Sequence, residues 1–131
     1  MNLRLKTSVS TETKLNELQT MLQVSSKAAV MRLAIGISLK IDGDPRIIDG
    51  AIIKYDVHNQ AGADYNRFTI FGDDELMYKI LMKQHLNNNI PDDVFFPWLT
   101  NAHIDRGIKE LYADYKLTNN KIKYIQKIIE G

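Results

Sequence analysis

The first residues of the chain carry the side chains best suited to contact a nucleic acid. Between positions 2 and 9 polar and apolar residues alternate, and Asn2, Arg4, Lys6 and Ser8 share one face. This period of two predicts a half-buried strand. Arginine and lysine donate to guanine edges and asparagine pairs with adenine, so such a strand could enter a DNA major groove. The alternative is an ordinary edge strand whose charges prevent aggregation.

Catalytic patterns in the sequence are incomplete. The run Glu12-Thr13-Lys14 matches the acid–x–lysine half of a metal-dependent nuclease motif, but that motif also needs an upstream aspartate, and residues 1–11 contain no acid. Glu12 is better interpreted as a first-turn acid that faces a helix dipole. There is no glycine-rich phosphate loop of the P-loop or dinucleotide type. We therefore expect a protein without catalytic activity of its own.

Metal and cofactor sites are not indicated either. The chain has no cysteine, which excludes disulfides, iron–sulfur clusters, thiolate zinc sites and a cysteine nucleophile in this chain. Its three histidines lie far apart in the sequence and in different predicted elements, so we expect no metal ion and no cofactor; they are His58, His85 and His103. Phe95, Phe96 and Trp98 could stack on bases, but packing at a helix entrance is favoured.

Composition indicates one globular domain. The 131 residues are 44% hydrophobic and 25% charged, which is ordinary for a soluble protein. No apolar run reaches the length of about 18 residues that a membrane span needs. The start of the chain does not resemble a secretory signal, so we expect a cytoplasmic protein with no membrane partner.

Hydrophobic periodicity predicts a mainly α fold with a ribbon–helix–helix-like start. A strand over 2–9 precedes a helix over 11–23, capped by Ser10 or Thr11, and a second helix over 28–41, capped by Ser25 or Ser26. The second helix is apolar nearly all round, which predicts a homo-oligomer that covers the remaining surface. Gly36 within it is expected to permit close helix–helix approach.

The rest of the chain is predicted to hold a short hairpin and then helices. The strands are expected at 52–57 and 65–71 with a loop between them, followed by a helix capped by Asp73. A fourth helix begins near Pro97, and Thr118 caps a final one. The single domain thus divides into a strand–helix–helix part, an acidic insert with the hairpin, and a helical part, at 1–41, 42–72 and 73–131.

Charge is unevenly distributed along the chain. The net charge is +1, but residues 1–40 carry +4, 41–75 carry −5, 76–115 carry −1 and 116–131 carry +3. Basic ends around an acidic middle predict a polyanion approached by one face, although solvated surface charge is the equal alternative. The candidate DNA-binding residues are Arg4, Lys6, Lys14, Lys27, Lys116, Lys123 and Lys127. The last three share one helix face if the turn before position 118 is helical.

Four stretches of the chain form a recognisable set, namely Arg4–Ser8 running into Thr11–Leu15, then Arg32–Leu39, Tyr65–Gly72 and His103–Leu111. In this order and spacing they resemble the DndE family, the small subunit of bacterial DNA phosphorothioation systems. The most specific parts are the aromatic-Asn-Arg-aromatic-Thr run and the Arg106-Gly107 pair. The segment 42–64 departs from the family because it is longer and more acidic than expected, and we expect it not to touch phosphate.

The resemblance implies a compact helical subunit that assembles into a tetramer and binds double-stranded DNA, preferably nicked, through surface lysines. It also implies action beside a cysteine desulfurase, an iron–sulfur protein and an ATPase. A chain without thiols cannot carry the sulfur, which leaves a scaffold or DNA-docking role. Three alternatives remain open at this point: a ribbon–helix–helix repressor or antitoxin, a DNA nickase, and an adaptor that binds only proteins.

Overall fold

The computed structural model describes residues 1–56 and 60–130 and is mainly helical, as the sequence predicts. The strands are short and the last helix is the longest element. In chain order the elements are β1 (Arg4–Lys6), α1 (Val9–Leu22), α2 (Lys27–Leu39), β2 (Ile47–Ile48), β3 (Ala51–Ile52), β4 (Asp64–Asn66), α3 (Arg67–Phe71), a 3-10 turn (Gly72–Asp74), α4 (Glu75–Leu86), an irregular turn (Val94–Leu99) and α5 (Thr100–Glu130).

The strand–helix–helix start is confirmed, with a shift in where the first helix begins. Ser8, rather than Ser10 or Thr11, caps α1, because its side-chain oxygen accepts a hydrogen bond from the Thr11 amide at 3.1 Å. The strand is correspondingly shorter than predicted. The cap of α2 is one of the two serines expected, since Ser26 accepts from the Ala29 amide at 3.1 Å.

The predicted pairing of 52–57 with 65–71 is wrong. β2 and β3 form the hairpin instead, with Ile47 opposite Ile52, and Asp49 and Gly50 supply the two positive φ angles of its turn. β4 pairs antiparallel with β1, with Leu5 opposite Tyr65. Val57, at the end of the predicted strand, lies outside the described residues.

Residues 67–71 form α3 rather than the continuation of a strand. The reason is local, because the Asn66 side chain accepts a hydrogen bond from the Phe68 amide at 2.8 Å and so starts a helix. Asp73 lies in the 3-10 turn, and α4 begins only at Glu75.

Residues 100–130 form one continuous helix, so the predicted break near Thr118 is wrong. α5 continues for 31 residues through Thr118, Asn119 and Asn120. These three are weaker helix formers than alanine, but each costs at most about 0.7 kcal/mol and none blocks a backbone hydrogen bond as proline would. No helix within 1–56 and 60–130 is both long and apolar enough to cross a bilayer.

The core forms where α5 packs antiparallel to α2, with α1 beside both. Ala34 lies against Gly107 and Ser38 lies beside His103, so residue numbers fall along α2 as they rise along α5. The close approach is made by Gly107, whereas Gly36 has open space around it, which corrects the role predicted for Gly36. α5 covers much of the apolar surface of α2, although Leu33 stays 46% exposed.

Candidate nucleic-acid interface

β1 presents its basic side chains outward, as the alternation predicts. Leu5 and Thr7 are fully buried, while Arg4 and Lys6 are exposed. The Arg4 guanidinium lies 3.8 Å from the Asp64 carboxylate, and both side chains are largely solvated. Such a pair contributes little stability and leaves Arg4 able to exchange its partner for a phosphate.

Both edges of β1 are occupied within the same chain. β4 covers one edge, and on the other the Tyr55 hydroxyl accepts a hydrogen bond from the Lys6 amide at 2.8 Å. A ribbon–helix–helix dimer needs the corresponding strand to pair with a second copy. In this chain that pairing would first have to displace Tyr55 or β4, which disfavours the repressor alternative.

Lys14 and Lys116 come together around one tyrosine ring. Their ammonium nitrogens lie 5.8 and 5.2 Å from the centre of the Tyr112 ring, where α1 runs beside α5. Lys116 also pairs with Glu17 at 2.7 Å, and the Tyr112 hydroxyl donates to the same carboxylate at 2.8 Å. The hydrogen bond from Lys116 lowers the pKa of Glu17, and the pKa of Lys116 rises in turn. The charge of Lys116 is therefore partly balanced.

Of the seven candidate DNA-binding residues, Lys27 is the one most tightly held in a structural contact. It pairs at 3.2 Å with Glu12, whose carboxylate also accepts hydrogen bonds from the hydroxyls of Thr7 at 2.8 Å and Tyr65 at 2.6 Å. Burial raises the pKa of Tyr65, and the hydrogen bond to Glu12 raises it further by a smaller amount. This cluster ties α2 to α1 and β4, so Lys27 would have to give up a structural contact to bind phosphate.

Lys123 and Lys127 lie on the exposed C-terminal part of α5. Because α5 is continuous through position 118, residues 116, 123 and 127 lie seven and four apart on one helix and share a face. The seven candidates thus fall into separate groups, on β1, at the α1–α2 cluster, around Tyr112 and along the end of α5. Only Lys14 and Lys116 are joined by a common contact in the described structure.

The two motifs most specific to the family resemblance have structural roles that spacing alone did not reveal. Arg67 is 1% exposed and pairs with Glu75 and, at 2.6 Å, with Asp92. Its guanidinium also donates to the Asn2 carbonyl at 3.1 Å and lies near the rings of Phe95 and Phe96. Arg67 therefore joins the N-terminus, α4 and the turn before α5. Phe95 and Phe96 are core residues, as expected.

Arg106 closes the C-terminal end of α2. Its guanidinium donates to the carbonyls of Ser38 at 2.8 Å, Ile41 at 3.1 Å and Gly43 at 2.9 Å, and to the Ser38 hydroxyl at 2.9 Å. These carbonyls lie at and beyond the last turn of α2, where helical donors run out, and Arg106 adds to the contacts that the Ile41 amide makes with Ser38 at 3.0 Å and the His85 ring makes with Ile41 at 2.7 Å. The Arg106-Gly107 pair thus locks α5 onto α2, with the arginine as a cap and the glycine as the contact point.

Two of the three histidines are neighbours, which corrects the expectation that all are dispersed. The rings of His85 and His103 lie 5.3 Å apart, edge to face, and His58 falls outside the described residues. His103 Nδ1 is hydrogen-bonded to the Ser38 hydroxyl at 2.8 Å, and His85 Nε2 lies 2.7 Å from the Ile41 carbonyl. No group of three or more histidine or acidic side chains that could hold a metal occurs within the part of the chain that the structure describes.

We expect His103 to make the protein sensitive to mild acid. Burial lowers the pKa of His103 to about 3, whereas in the unfolded chain it is near 6.5. Below pH 6.5 His103 is protonated in the unfolded chain but stays neutral in the folded protein. The free energy of unfolding therefore falls as pH falls, by about 3 kcal/mol at pH 4.5. Urea unfolding at pH 7 and pH 4.5 measures this loss.

His103→Asn is the control for that prediction, because the asparagine amide can hydrogen-bond with Ser38 but does not titrate. The remaining titratable groups contribute equally to both proteins, so the difference between the two pH profiles gives the contribution of His103 to stability. The variant should be less stable at pH 7 and should lose less stability on acidification. Parallel profiles for the two proteins would contradict the assignment.

Comparison with known proteins agrees with these motifs. The family described as DNA sulphur modification protein DndE matches residues 4–119. Among solved structures, DndE from Escherichia coli B7A, described as involved in DNA phosphorothioation modification, is 17% identical with a TM-score of 0.60, over 85% of this chain and 97% of that one. A G21/24K mutant of DndE is similar at 17% identity and a TM-score of 0.59, over 85% and 98%.

No curated protein matches the sequence. The similarity to the solved structures establishes the fold, and the family match establishes that the chain is related to DndE proteins. That match includes both motif arginines, Arg67 and Arg106, and ends before the last turns of α5. The chain belongs to the DndE family of DNA sulphur modification proteins.

Proposed function

We propose that this protein is the non-catalytic DNA-binding subunit of a DNA phosphorothioation system and that it prefers nicked double-stranded DNA. The observation that carries the proposal is the basic face of α5, where residues 116, 123 and 127 share one side of the helix and Lys116 meets Lys14 of α1 around the Tyr112 ring. Lysine side chains of this kind bind backbone phosphates and confer affinity rather than sequence choice. Family membership supplies the system in which such a surface acts.

The sulfur chemistry is assigned to other subunits. Because this chain has no cysteine, it has no thiolate with which to accept or deliver sulfur. The proposed partners are therefore a cysteine desulfurase, an iron–sulfur protein and an ATPase, with this chain holding the DNA substrate. The proposed compartment is the cytoplasm, where these partners and the DNA would be found together.

A homo-oligomer, specifically a tetramer, is part of the proposal. Apolar side chains remain exposed along one side of α4, namely Leu76, Met77, Ile80 and Leu81, and along the end of α5, namely Ile125, Ile128 and Ile129. Exposed apolar stripes of this length are typical of protein–protein contacts. Light scattering tests the assembly, and a stable monomer at high protein concentration would contradict it.

We expect paired lysine changes to weaken DNA binding on every sequence and to reduce its dependence on salt. Each neutralised phosphate adds about 0.9 to the negative log–log salt slope, so Lys123→Ala with Lys127→Ala should flatten the slope by up to about 2. Lys6→Ala with Lys14→Ala should act in the same direction. Fluorescence anisotropy of random-sequence intact, nicked and single-stranded DNA, with and without magnesium, measures both effects.

Asp49→Asn is the matched control for charge. Asp49 is exposed in the β2–β3 turn and has a positive φ that asparagine tolerates, so the change removes a charge without altering the turn. Binding should stay equal or tighten slightly. Cleavage of DNA with magnesium would favour the nickase, and a strong preference for one sequence would favour the repressor. An unchanged salt slope in both lysine pairs would refute the proposed interface.

A further inference from the structure

The face of α5 that carries the proposed DNA-binding lysines holds one more lysine, Lys109. It lies seven residues before position 116, so two helical turns separate the two side chains and both belong to the same face. Lys109 is exposed to solvent. At 1.5 Å per residue, the row from 109 to 127 is about 27 Å long, whereas the row from 116 to 127 is about 17 Å long. The basic face therefore reaches further toward the start of α5 than the proposed interface assumes.

A second exposed lysine, Lys54, lies opposite Lys109 across a cavity of about 200 Å³. The cavity separates the start of α5 from the β2–β3 hairpin and the segment that follows it. Lys54 and Tyr55 line it on the hairpin side, and Asp105 and Lys109 line it on the side formed by α5. Each side of the cavity thus carries an exposed lysine.

These two lysines are not held in ion pairs. Neither Lys54 nor Lys109 forms a salt bridge with another residue within 1–56 and 60–130, whereas the two arginines that line the same cavity are engaged. Arg46 pairs with Asp44 at 2.7 Å, and Arg106 donates to carbonyl groups at the end of α2. An unpaired lysine loses no internal contact when it binds a phosphate. The two lysines are therefore better suited to that role than the arginines beside them.

The cavity lies next to the lysines of β1 and α1 as well. The Tyr55 hydroxyl accepts a hydrogen bond from the Lys6 amide at 2.8 Å, which holds the segment after the hairpin against β1. On the other side, burial raises the pKa of Asp105, while the nearby charges of Lys109 and Lys14 act to lower it. Both lysines are thus close to one carboxylate. The cavity and its two lysines lie between the basic groups of β1, α1 and α5.

We propose that Lys54 and Lys109 bind backbone phosphates and join the lysines of β1, α1 and α5 into one continuous DNA-binding track across the cavity. The inference rests on the proposed function and extends it to two residues outside the predicted set. It also gives a DNA contact to the acidic insert, which was expected not to touch phosphate. The insert does not repel DNA uniformly, because the charge of Asp44 is balanced by Arg46.

The first test is the salt dependence of binding to nicked duplex of random sequence, measured by fluorescence anisotropy. Each phosphate contact contributes about 0.9 to the negative log–log slope, so Lys54→Gln with Lys109→Gln should flatten it by up to about 2. Lys54→Arg with Lys109→Arg keeps both charges and should leave the slope unchanged. Lys83→Gln is the control on α4, because residue 83 lies two positions from His85, whose ring packs on α5, and so faces away from it. It should not alter the slope.

The second test locates the DNA. Trp98 is the only tryptophan in the chain and lines the cavity, so duplex bound across the cavity should protect it from quenching by acrylamide. The Lys54→Gln, Lys109→Gln variant should lose this protection. If that variant kept the full slope while Lys123→Ala with Lys127→Ala flattened it, or if bound duplex left the quenching unchanged, the track alone would be overturned. A native protein that binds no duplex would overturn the proposed function itself.

Discussion

Gly107→Ala is expected to prevent the protein from folding to its native state. A Cβ atom at this position would lie 1.8 Å from the carbonyl oxygen and 2.4 Å from the carbonyl carbon of Ala34. These are backbone atoms of the neighbouring helix, so no side-chain rotation can relieve the clash. Overpacking of a core typically costs about 1–3 kcal/mol even where side chains can adjust, and here α5 would have to move away from α2 along its buried length.

The measurement is the yield of soluble protein and its far-UV and near-UV circular dichroism. With a total stability of about 5–15 kcal/mol for an ordinary domain, separation of the two main helices should leave little native protein. Loss of the near-UV signal with retention of helix would indicate that α2 and α5 form but do not pack together. A cooperative native-like unfolding transition would contradict the prediction.

Gly36→Ala is the matched control, because Gly36 lies in the helix against which Gly107 packs. Apart from the neighbouring backbone of its own helix, no atom of the described residues lies within 4 Å of a Cβ built at Gly36. The same substitution there should stabilise the protein by about 0.5–1 kcal/mol, because alanine is the better residue in a helix interior. Opposite signs at two helical glycines would show that helix contact, rather than glycine flexibility, is what position 107 requires.

The contrast between these glycines shows where sequence analysis stops. The apolar spacing of Leu15, Leu18 and Leu22 and the serine before α2 correctly predict the first two helices, because periodicity and capping are local signals. Which of two helical glycines touches another backbone depends on how the helices dock. The sequence therefore predicts the elements but not the point at which they meet.

The strands show the same difference between local features, which the sequence predicts, and long-range contacts, which it does not. The β2–β3 hairpin could have been predicted, since Asp49-Gly50 is the dipeptide that two-residue turns prefer, and its apolar neighbours flank it. The pairing of β1 with β4 could not, because it joins residues about sixty positions apart and each strand is only three residues long. Nothing in such short segments specifies a distant partner.

The sequence predicts which residues of the candidate interface carry charge, but not which of them form ion pairs. Lys123 and Lys127 are exposed, as a basic C-terminal segment predicts, whereas Lys27 and Lys116 are paired with Glu12 and Glu17. Those pairs join different elements and exist only after packing.

Arg67→Met is expected to destabilise the protein by about 3–5 kcal/mol, the usual effect of removing one member of a buried ion-pair network. Arg67 is fully enclosed and is the shared partner of Glu75 and Asp92. Methionine fills part of the space but removes the donor that joins Glu75, Asp92 and the Asn2 carbonyl, and only Asp92 keeps another cation, Lys79 at 3.3 Å. Urea unfolding followed by circular dichroism at pH 7 measures the loss.

The variant should also respond differently to acid. The hydrogen bond from Arg67 holds the pKa of Asp92 at about 2, against 3.8 in the unfolded chain. In the native protein this carboxylate therefore contributes stability above pH 3.8, and the contribution disappears as pH falls toward 2. Without Arg67 the pKa of Asp92 rises, so the variant has less of this stability to lose in acid.

Arg4→Met is the control that separates burial from charge. Arg4 lies on β1 directly opposite Asn66, the neighbour of Arg67, and it too pairs with an aspartate, Asp64. Because its side chain is 61% exposed, the pair is screened by water and its loss should cost less than about 0.5 kcal/mol. If Arg67→Met proved as mild as Arg4→Met, the aromatic-Asn-Arg motif would not act by holding the N-terminus, α4 and the turn before α5 together. A large effect confined to Arg67 would establish that the motif acts through the fold.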